Sequence, residues 1–386
     1  MNPNFSSLPT TVFEVMSGLA RQHGAINLGQ GFPDSPGPED IRAKAAEALM
    51  TGLNQYPPMR GLPELRQAVA VHYAAHQGLA LSPDEVVVTS GATEALAASL
   101  LGLLVPGDEV VLFEPVYDAY LPLLRQAGAL ARFVRLRPPA WRLTEEALAE
   151  AITPRTRMVV FNNPHNPTGR LFGAEEVEIL ARACLAHDLI AVCDEVWEHV
   201  RFDGREHRPL MAEPGMRGRT VKIGSAGKIF SMTGWKVGWA CAATPLAEAV
   251  AKTHQYLTFT TPPNLQAAVA FGLSKPAGWF ARMRAGYQRS RDRLAQGLAV
   301  QGFATLPGEA TYFLGLDLAA SGLNLDDETF CRRAVAEAGV AAIPVSAFYA
   351  SGEPERGVVR LCFAKSDALL DEAAERLGGL RRGETA

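Results

Sequence analysis

The chain has 386 residues, enough for a large α/β core and a second, smaller domain. Its net charge of −4 is small and mixed along the sequence, and no Lys/Arg block or zinc-type cysteine pattern occurs, so neither nucleic acid nor a structural metal is expected. The five cysteines are scattered, odd in number and free of Cys-x-x-Cys pairing, which reads as reduced, buried thiols in a cytoplasmic protein.

The polar opening through Thr11 lacks the basic start and apolar core of a signal peptide, and no uncharged apolar run reaches membrane-spanning length. Residues 12–23 have a helical pattern that stops at Gly24. Residues 26–34 read as a strand edge entering a turn around Gly29-x-Gly31. Without a third glycine and a following helix this is no dinucleotide site; a backbone turn close to a ligand carboxylate and a plain loop both remain open. Helices over 38–51 and 62–77 flank an extended loop that carries Tyr56. Strands and helices then alternate, with strands ending near Thr89, Phe113, Leu136, Phe161, Cys193 and Gly224. This alternation predicts an α/β fold, a mostly parallel sheet flanked by helices whose ligands collect at the carboxyl ends of the strands. After Lys236 the pattern turns helical over 245–256, 264–273 and 277–301. The last stretch carries Arg282, Arg284, Arg289, Arg291 and Arg293, read as a solvated face. It leads to a smaller α+β domain with strands near 312–316 and 358–363. The expected division is an arm and part of the small domain over 1–40, a large domain over 41–285 and a small domain over 286–386.

The polar groups gather at those strand ends. Gly91, Ala92 and Thr93 open a helix directly after a strand, so their amides would face a ligand as a phosphate cradle, or form an ordinary βα turn. Tyr117 follows another strand end, and Asn166 lies in the amide-rich turn over 162–169. Asp194 ends a buried apolar strand, where a carboxylate is costly without a partner; a protonated ring nitrogen, a helix cap or an internal ion pair would serve. In Gly224-Ser225-Ala226-Gly227-Lys228 a lysine occupies a small-residue turn, with the Ser225 hydroxyl before it and Lys236 after it. One amine for covalent chemistry and a hydroxyl plus a cation for a phosphate suggest pyridoxal phosphate bound as a Schiff base. Ser-x-x-Lys also serves as a nucleophile motif in β-lactamase-type enzymes, but the companion motifs are missing. Arg360 interrupts an apolar strand and needs an anion, from the protein or from a substrate.

With Asn166-Pro-Thr-Gly169, Asp194, Ser225-x-x-Lys228 and Arg360 in this order, the chain resembles the class I, fold-type I pyridoxal-phosphate aminotransferases from about residue 27 to about 367. The stretches 27–34, 224–228, 233–239, 343–346 and 360–363 look like the kynurenine/glutamine/methionine aminotransferase branch. The resemblance implies a homodimer with shared active sites and a catalytic set of Lys228, Asp194 and Tyr117. Lys228 holds the cofactor and then shuttles a proton, Asp194 pairs with the pyridine nitrogen, Asn166 bonds the ring 3′-oxygen and Tyr117 stacks on the ring. Gly91, Ala92, Thr93, Ser225 and Lys236 hold the phosphate, joined by Tyr56 across the dimer interface. Arg360 and the Gly31 backbone take the substrate carboxylate, and Phe13 falls in the side-chain pocket. The family usually has tyrosine three residues after the aspartate; this chain has Trp197, a donor-only indole. The implied reaction moves an amino group between an aromatic, sulfur-containing or glutamine-like amino acid and a 2-oxo acid. A carbon–sulfur β-lyase and an N-succinyl-diaminopimelate aminotransferase are the alternatives, and a non-catalytic binding protein on this fold would be expected to lack the lysine.

Overall fold

The computed structural model describes residues 2–52 and 54–385. Short runs of β-branched and small apolar residues form its strands. After the short β1 (Ile26–Asn27) come β2 (Val86–Ser90), β3 (Glu109–Glu114), β4 (Leu130–Arg135), β5 (Thr156–Asn162), β6 (Ile190–Asp194), β7 (Thr220–Ser225) and β8 (Val237–Ala242). Strands β2 to β8 make one seven-stranded sheet in the order β2-β8-β7-β6-β5-β3-β4. From β7 to β4 all neighbours are parallel, while β8 runs antiparallel to both β7 and β2.

Alternate residues of the central strands enter cores on opposite faces, as the period of two requires. Val110, Leu112, Val160 and Val192 pack with the Gly91–Leu103 helix, and Val111, Phe113, Val159 and Phe161 pack with the Ala174–Ala186 helix. Full burial of each such side chain contributes about 1.5–3 kcal/mol. Covering both faces explains why these strands read as continuous apolar runs.

Strand β8 corrects the sequence reading, which passes from Lys236 directly to a helix. Its glycine and alanines have low strand propensity, which hides it. Packing demands the glycine: a Cβ on Gly238 would lie 2.7 Å from the Ala92 amide nitrogen. The strand is thereby wedged beneath the start of the Gly91–Leu103 helix.

The C-terminal strands are β9 (Ala304–Thr305), β10 (Phe313–Asp317), β11 (Val340–Ala341), β12 (Ile343–Pro344) and β13 (Val358–Cys362). A four-stranded antiparallel sheet runs β12-β13-β10-β9, and β11 pairs parallel with β1. Helices Asp327–Ala338 and Asp367–Thr385, absent from the sequence reading, pack with this part. The helix Ala277–Val300 reaches it as expected, but two of its arginines are tied down. Arg291 pairs with Asp203 at 2.6 Å and Arg293 with Asp371 at 2.6 Å, so this is a solvated face only in part.

Candidate active site

A cavity of about 370 Å³ opens at the carboxyl ends of β2, β5, β6 and β7 and is closed on one side by β10 and β13. It brings together Lys228, Asp194, Tyr117, Asn166, Trp197 and Arg360, with Phe13, Gly31, Ser225 and Lys236 also in its wall. The Gly91, Ala92 and Thr93 segment completes the same wall.

Lys228 sits in the short helix Ala226–Ile229 that follows β7. Its Nζ donates to the Tyr312 hydroxyl at 3.3 Å and lies 4.6 Å from the centre of the Trp197 ring. Burial, opposed by the Asp194 charge, lowers its pKa to about 8.

Asp194 ends β6. The Tyr120 hydroxyl donates to its Oδ2 at 2.6 Å, while the buried Oδ1 has no hydrogen-bond partner among the described residues. Burial raises its pKa against the Tyr120 bond. An orphaned carboxylate oxygen of this kind costs free energy that a cationic donor would recover. The neighbouring strand is locked in step, because Asn162 Nδ2 donates to the Asp194 carbonyl at 2.9 Å and Asn162 Oδ1 accepts the Asn166 amide at 2.8 Å.

At one end of the cavity lie donors that could hold an anion. Gly91 adopts a left-handed conformation with φ 74° and turns β2 into the helix, so the first amides of that helix, which have no helical acceptors, belong to residues of the cavity wall. Lys236 approaches the same point: a Cβ on Gly91 would be 3.1 Å from its Nζ. Ser225 ends β7 beside them.

Arg360 on β13 is 1 % exposed, yet no carboxylate lies within ion-pair reach among the described residues. Nη1 donates to Asn166 Oδ1 at 2.8 Å and Nη2 to the Gly29 carbonyl at 2.9 Å; Nε has no partner. The Phe313 ring lies 3.9 Å from the guanidinium carbon, with Phe13 and Phe348 further out. Burial lowers the arginine pKa to about 10. The protein-carboxylate alternative for this arginine is therefore not realised. Its bond to Asn166 Oδ1 also orients that amide, leaving Nδ2 as the free donor.

Tyr56 is the one expected site residue outside the cavity: it is 81 % exposed and stands edge-on to Phe259. The sequence reading missed Tyr120 and the Tyr312 contact. The Tyr117-Asp118-Ala119-Tyr120 spacing hinted at the first, since residues three apart share a side of a helical turn. Glu195, Glu198 and His207 cluster on the other side of the β6 end with the spacing of a metal triad, but the Lys222 ammonium lies among them, bonded to Glu195 and, at 2.6 Å, to Glu198. The two carboxylates are thus engaged by the Lys222 ammonium and by His207 Nε2, while the buried His207 Nδ1 has no partner among the described residues.

Residues 23–377 match the family model described as aminotransferase class I and II. The chain belongs to this family. It is an aminotransferase of fold type I. It is 45 % identical over 383 residues to a probable N-succinyldiaminopimelate aminotransferase of Mycobacterium tuberculosis, covering 96 % of both chains. It is 40 % identical over 371 residues to methionine aminotransferase of Escherichia coli, again covering 96 % of each. Human kynurenine–oxoglutarate transaminase 1 is 35 % identical over 393 residues, with 93 % of each covered. The solved structure of the Mycobacterium tuberculosis N-succinyldiaminopimelate aminotransferase superposes with TM-score 0.94 at 44 % identity, covering 98 % of this chain and 99 % of that one.

Proposed function

We propose that this aminotransferase works with pyridoxal 5′-phosphate and takes amino donors with neutral aromatic, sulfur-containing or glutamine-like side chains. The observation that carries the cofactor is the unpartnered Asp194 Oδ1, buried in the same cavity as the Lys228 amine. A phosphate fits the Gly91–Thr93 amides with Ser225 and Lys236, a pyridinium nitrogen fits Asp194 Oδ1, and a phenolic oxygen fits Asn166 Nδ2. When bound, the cofactor's ring would supply the sink for the electron pair left on the substrate Cα as its proton is removed.

The chain's residues supply the rest. Lys228 would hold the cofactor, and its free amine would take the proton from the substrate Cα; a pKa of about 8 keeps a useful fraction of amine near neutral pH. Asp194, steadied by Tyr120, would keep the ring nitrogen protonated, and Tyr117 in the cavity wall would stack on the ring. Arg360 presents its unpartnered Nε and remaining N–H groups to the α-carboxylate, beside Gly31. Phe13 and Phe32 add apolar surface to the cavity wall, and the cations there, Lys228, Lys236 and Arg360, are all engaged in these roles. That favours a neutral side chain. The relative at 45 % identity supports a second reading, an N-succinyl-diaminopimelate substrate.

Tyr56, Tyr256, Leu257 and Phe259 are all exposed, and a second copy covering them would bring Tyr56 to its partner's phosphate cradle. The homodimer proposed here is tested by light scattering, where a fully active monomer would refute it. The division at residues 40 and 285 belongs to the same reading, as does a cytoplasmic setting, supported by five free, buried cysteines. No described helix is long and apolar enough to cross a membrane.

A donor screen with 2-oxoglutarate tests the substrate: methionine, phenylalanine, kynurenine and glutamine against N-succinyl-diaminopimelate. Turnover of the succinylated donor alone replaces the first reading with the second. Release of pyruvate and ammonia from cysteine conjugates, without oxo acid, as the dominant reaction makes the enzyme a β-lyase.

A further inference from the structure

The Lys228 amine rests in an aromatic corner. Trp197 and Tyr312 stand nearly perpendicular, at 89° with ring centres 4.2 Å apart, and Nζ lies 4.6 Å from the first ring centre and 5.6 Å from the second. The Tyr312 hydroxyl has a single hydrogen, which it donates to the Gly31 carbonyl at 2.7 Å. Towards Lys228, at 3.3 Å, it can therefore only accept. An indole face is the strongest aromatic partner for an ammonium, and Trp197 stands where the family pattern has a phenol.

We propose that Trp197 and Tyr312 form a holding site for the Lys228 amine whenever that amine is not bonded to cofactor, an inference that rests on the reading of Lys228 given above. A lysine stem left alone samples many rotamers. Here the indole face draws the charged head and the Tyr312 oxygen takes one N–H, so the amine stays poised over the cavity in one place. The corner favours the ammonium, as does Asp194, while burial, Arg360 and Lys236 oppose it and the Cys362 thiol lies nearby. Tyr312 also joins this lysine to Gly31, so the proton-moving amine and the loop beside Arg360 share one support.

The test is competitive acetylation of the full chain saturated with pyridoxamine 5′-phosphate, whose amine cannot bond to Lys228. Peptide mass spectrometry across pH reports Lys228, with Lys236 as the internal control. Tyr312→Phe keeps the ring but removes the acceptor, and should lower the ammonium-to-amine ratio of Lys228 about tenfold at a given pH. Trp197→Phe and Trp197→Leu should lower it progressively, with Lys236 unmoved. An unchanged Lys228 titration in Tyr312→Phe and Trp197→Leu overturns the holding site, and so does a rise, which would mean that the rings only exclude water. If Trp197→Leu does not fold, Tyr312→Phe and Trp197→Phe decide alone. The reading of Lys228 as the cofactor lysine fails separately, if Lys228→Ala protein still transaminates at the wild-type rate.

Discussion

Lys222 lies on β7 and Lys228 on the short helix that follows it, and they are charged on opposite terms. Lys222 is fully buried; burial works against its charge, but Glu195 and Glu198 outweigh it and the pKa is raised. Glu195 in turn, despite its burial, is held at about 2 by Lys222 and His207. Lys228 has no carboxylate in contact, only the more distant Asp194 and two aromatic rings, and burial wins. Low exposure is common to both lysines. The number of carboxylates within reach decides which one is a structural cation and which is an amine available for chemistry.

Exchanging each lysine should separate the two roles. Lys228→Ala should lower turnover by more than about a thousandfold, because nucleophile and proton carrier are lost together, while the variant remains at least as stable as the wild type near neutral pH. Lys222→Met should do the reverse. It strands Glu195 and Glu198 as buried charges, at a cost of about 3–5 kcal/mol in urea unfolding, and leaves kcat of the folded fraction largely intact. A Lys222→Met protein as stable as wild type would remove the contrast.

Arg360→Lys comes next in size. An ammonium cannot reproduce a planar fork, and losing one charge-assisted bond costs about 1.5–3 kcal/mol, so kcat/KM should fall about ten- to hundredfold for every donor. An effect confined to one donor would move Arg360 to the side-chain end of the pocket.

The pH dependence of stability should carry opposite signs at the two sites. For cofactor-free protein, Lys228 has a folded pKa of about 8, below its unfolded value of 10.5. The unfolded state then binds more protons, so this group's contribution to stability rises as pH goes from about 8 towards 10.5. Lys222, raised above 10.5, contributes stability that is fully present below that value and is lost as pH climbs through its folded pKa. Urea unfolding of wild type and Lys228→Ala across this range should show the gap between them narrowing in the wild type's favour; a constant gap contradicts the depressed pKa.

The smallest change is Tyr120→Phe. Removing the hydroxyl lets burial raise the Asp194 pKa further, so cofactor affinity, measured by equilibrium titration, should weaken a few-fold at neutral pH and its acid limb should move to higher pH. An acid limb in the wild-type position would show that Tyr120 only fills space.

What could be read in advance was local. A β-branched run followed by Gly-Ser-Ala-Gly-Lys, or by Asp194, declares a strand end and its polar group within a few neighbouring residues. Six of the seven strands of the large sheet and most of the residues lining the cavity followed from such ends. Contacts between distant residues could not be read this way. Tyr312 meets Gly31 and Lys228 only after β10 folds against the large sheet, and the partners of Lys222 lie on the turn after β6. Strand β8 stayed hidden because close packing requires small residues, the ones that strand propensity disfavours.

The most direct measurement is to incubate the protein with pyridoxal phosphate, reduce it with borohydride and map the modified peptide. Modification of Lys228 alone is predicted, with Lys222 and Lys236 untouched. Label on either of those lysines, or full aminotransferase activity in protein that never becomes modified, would contradict the assignment of Lys228.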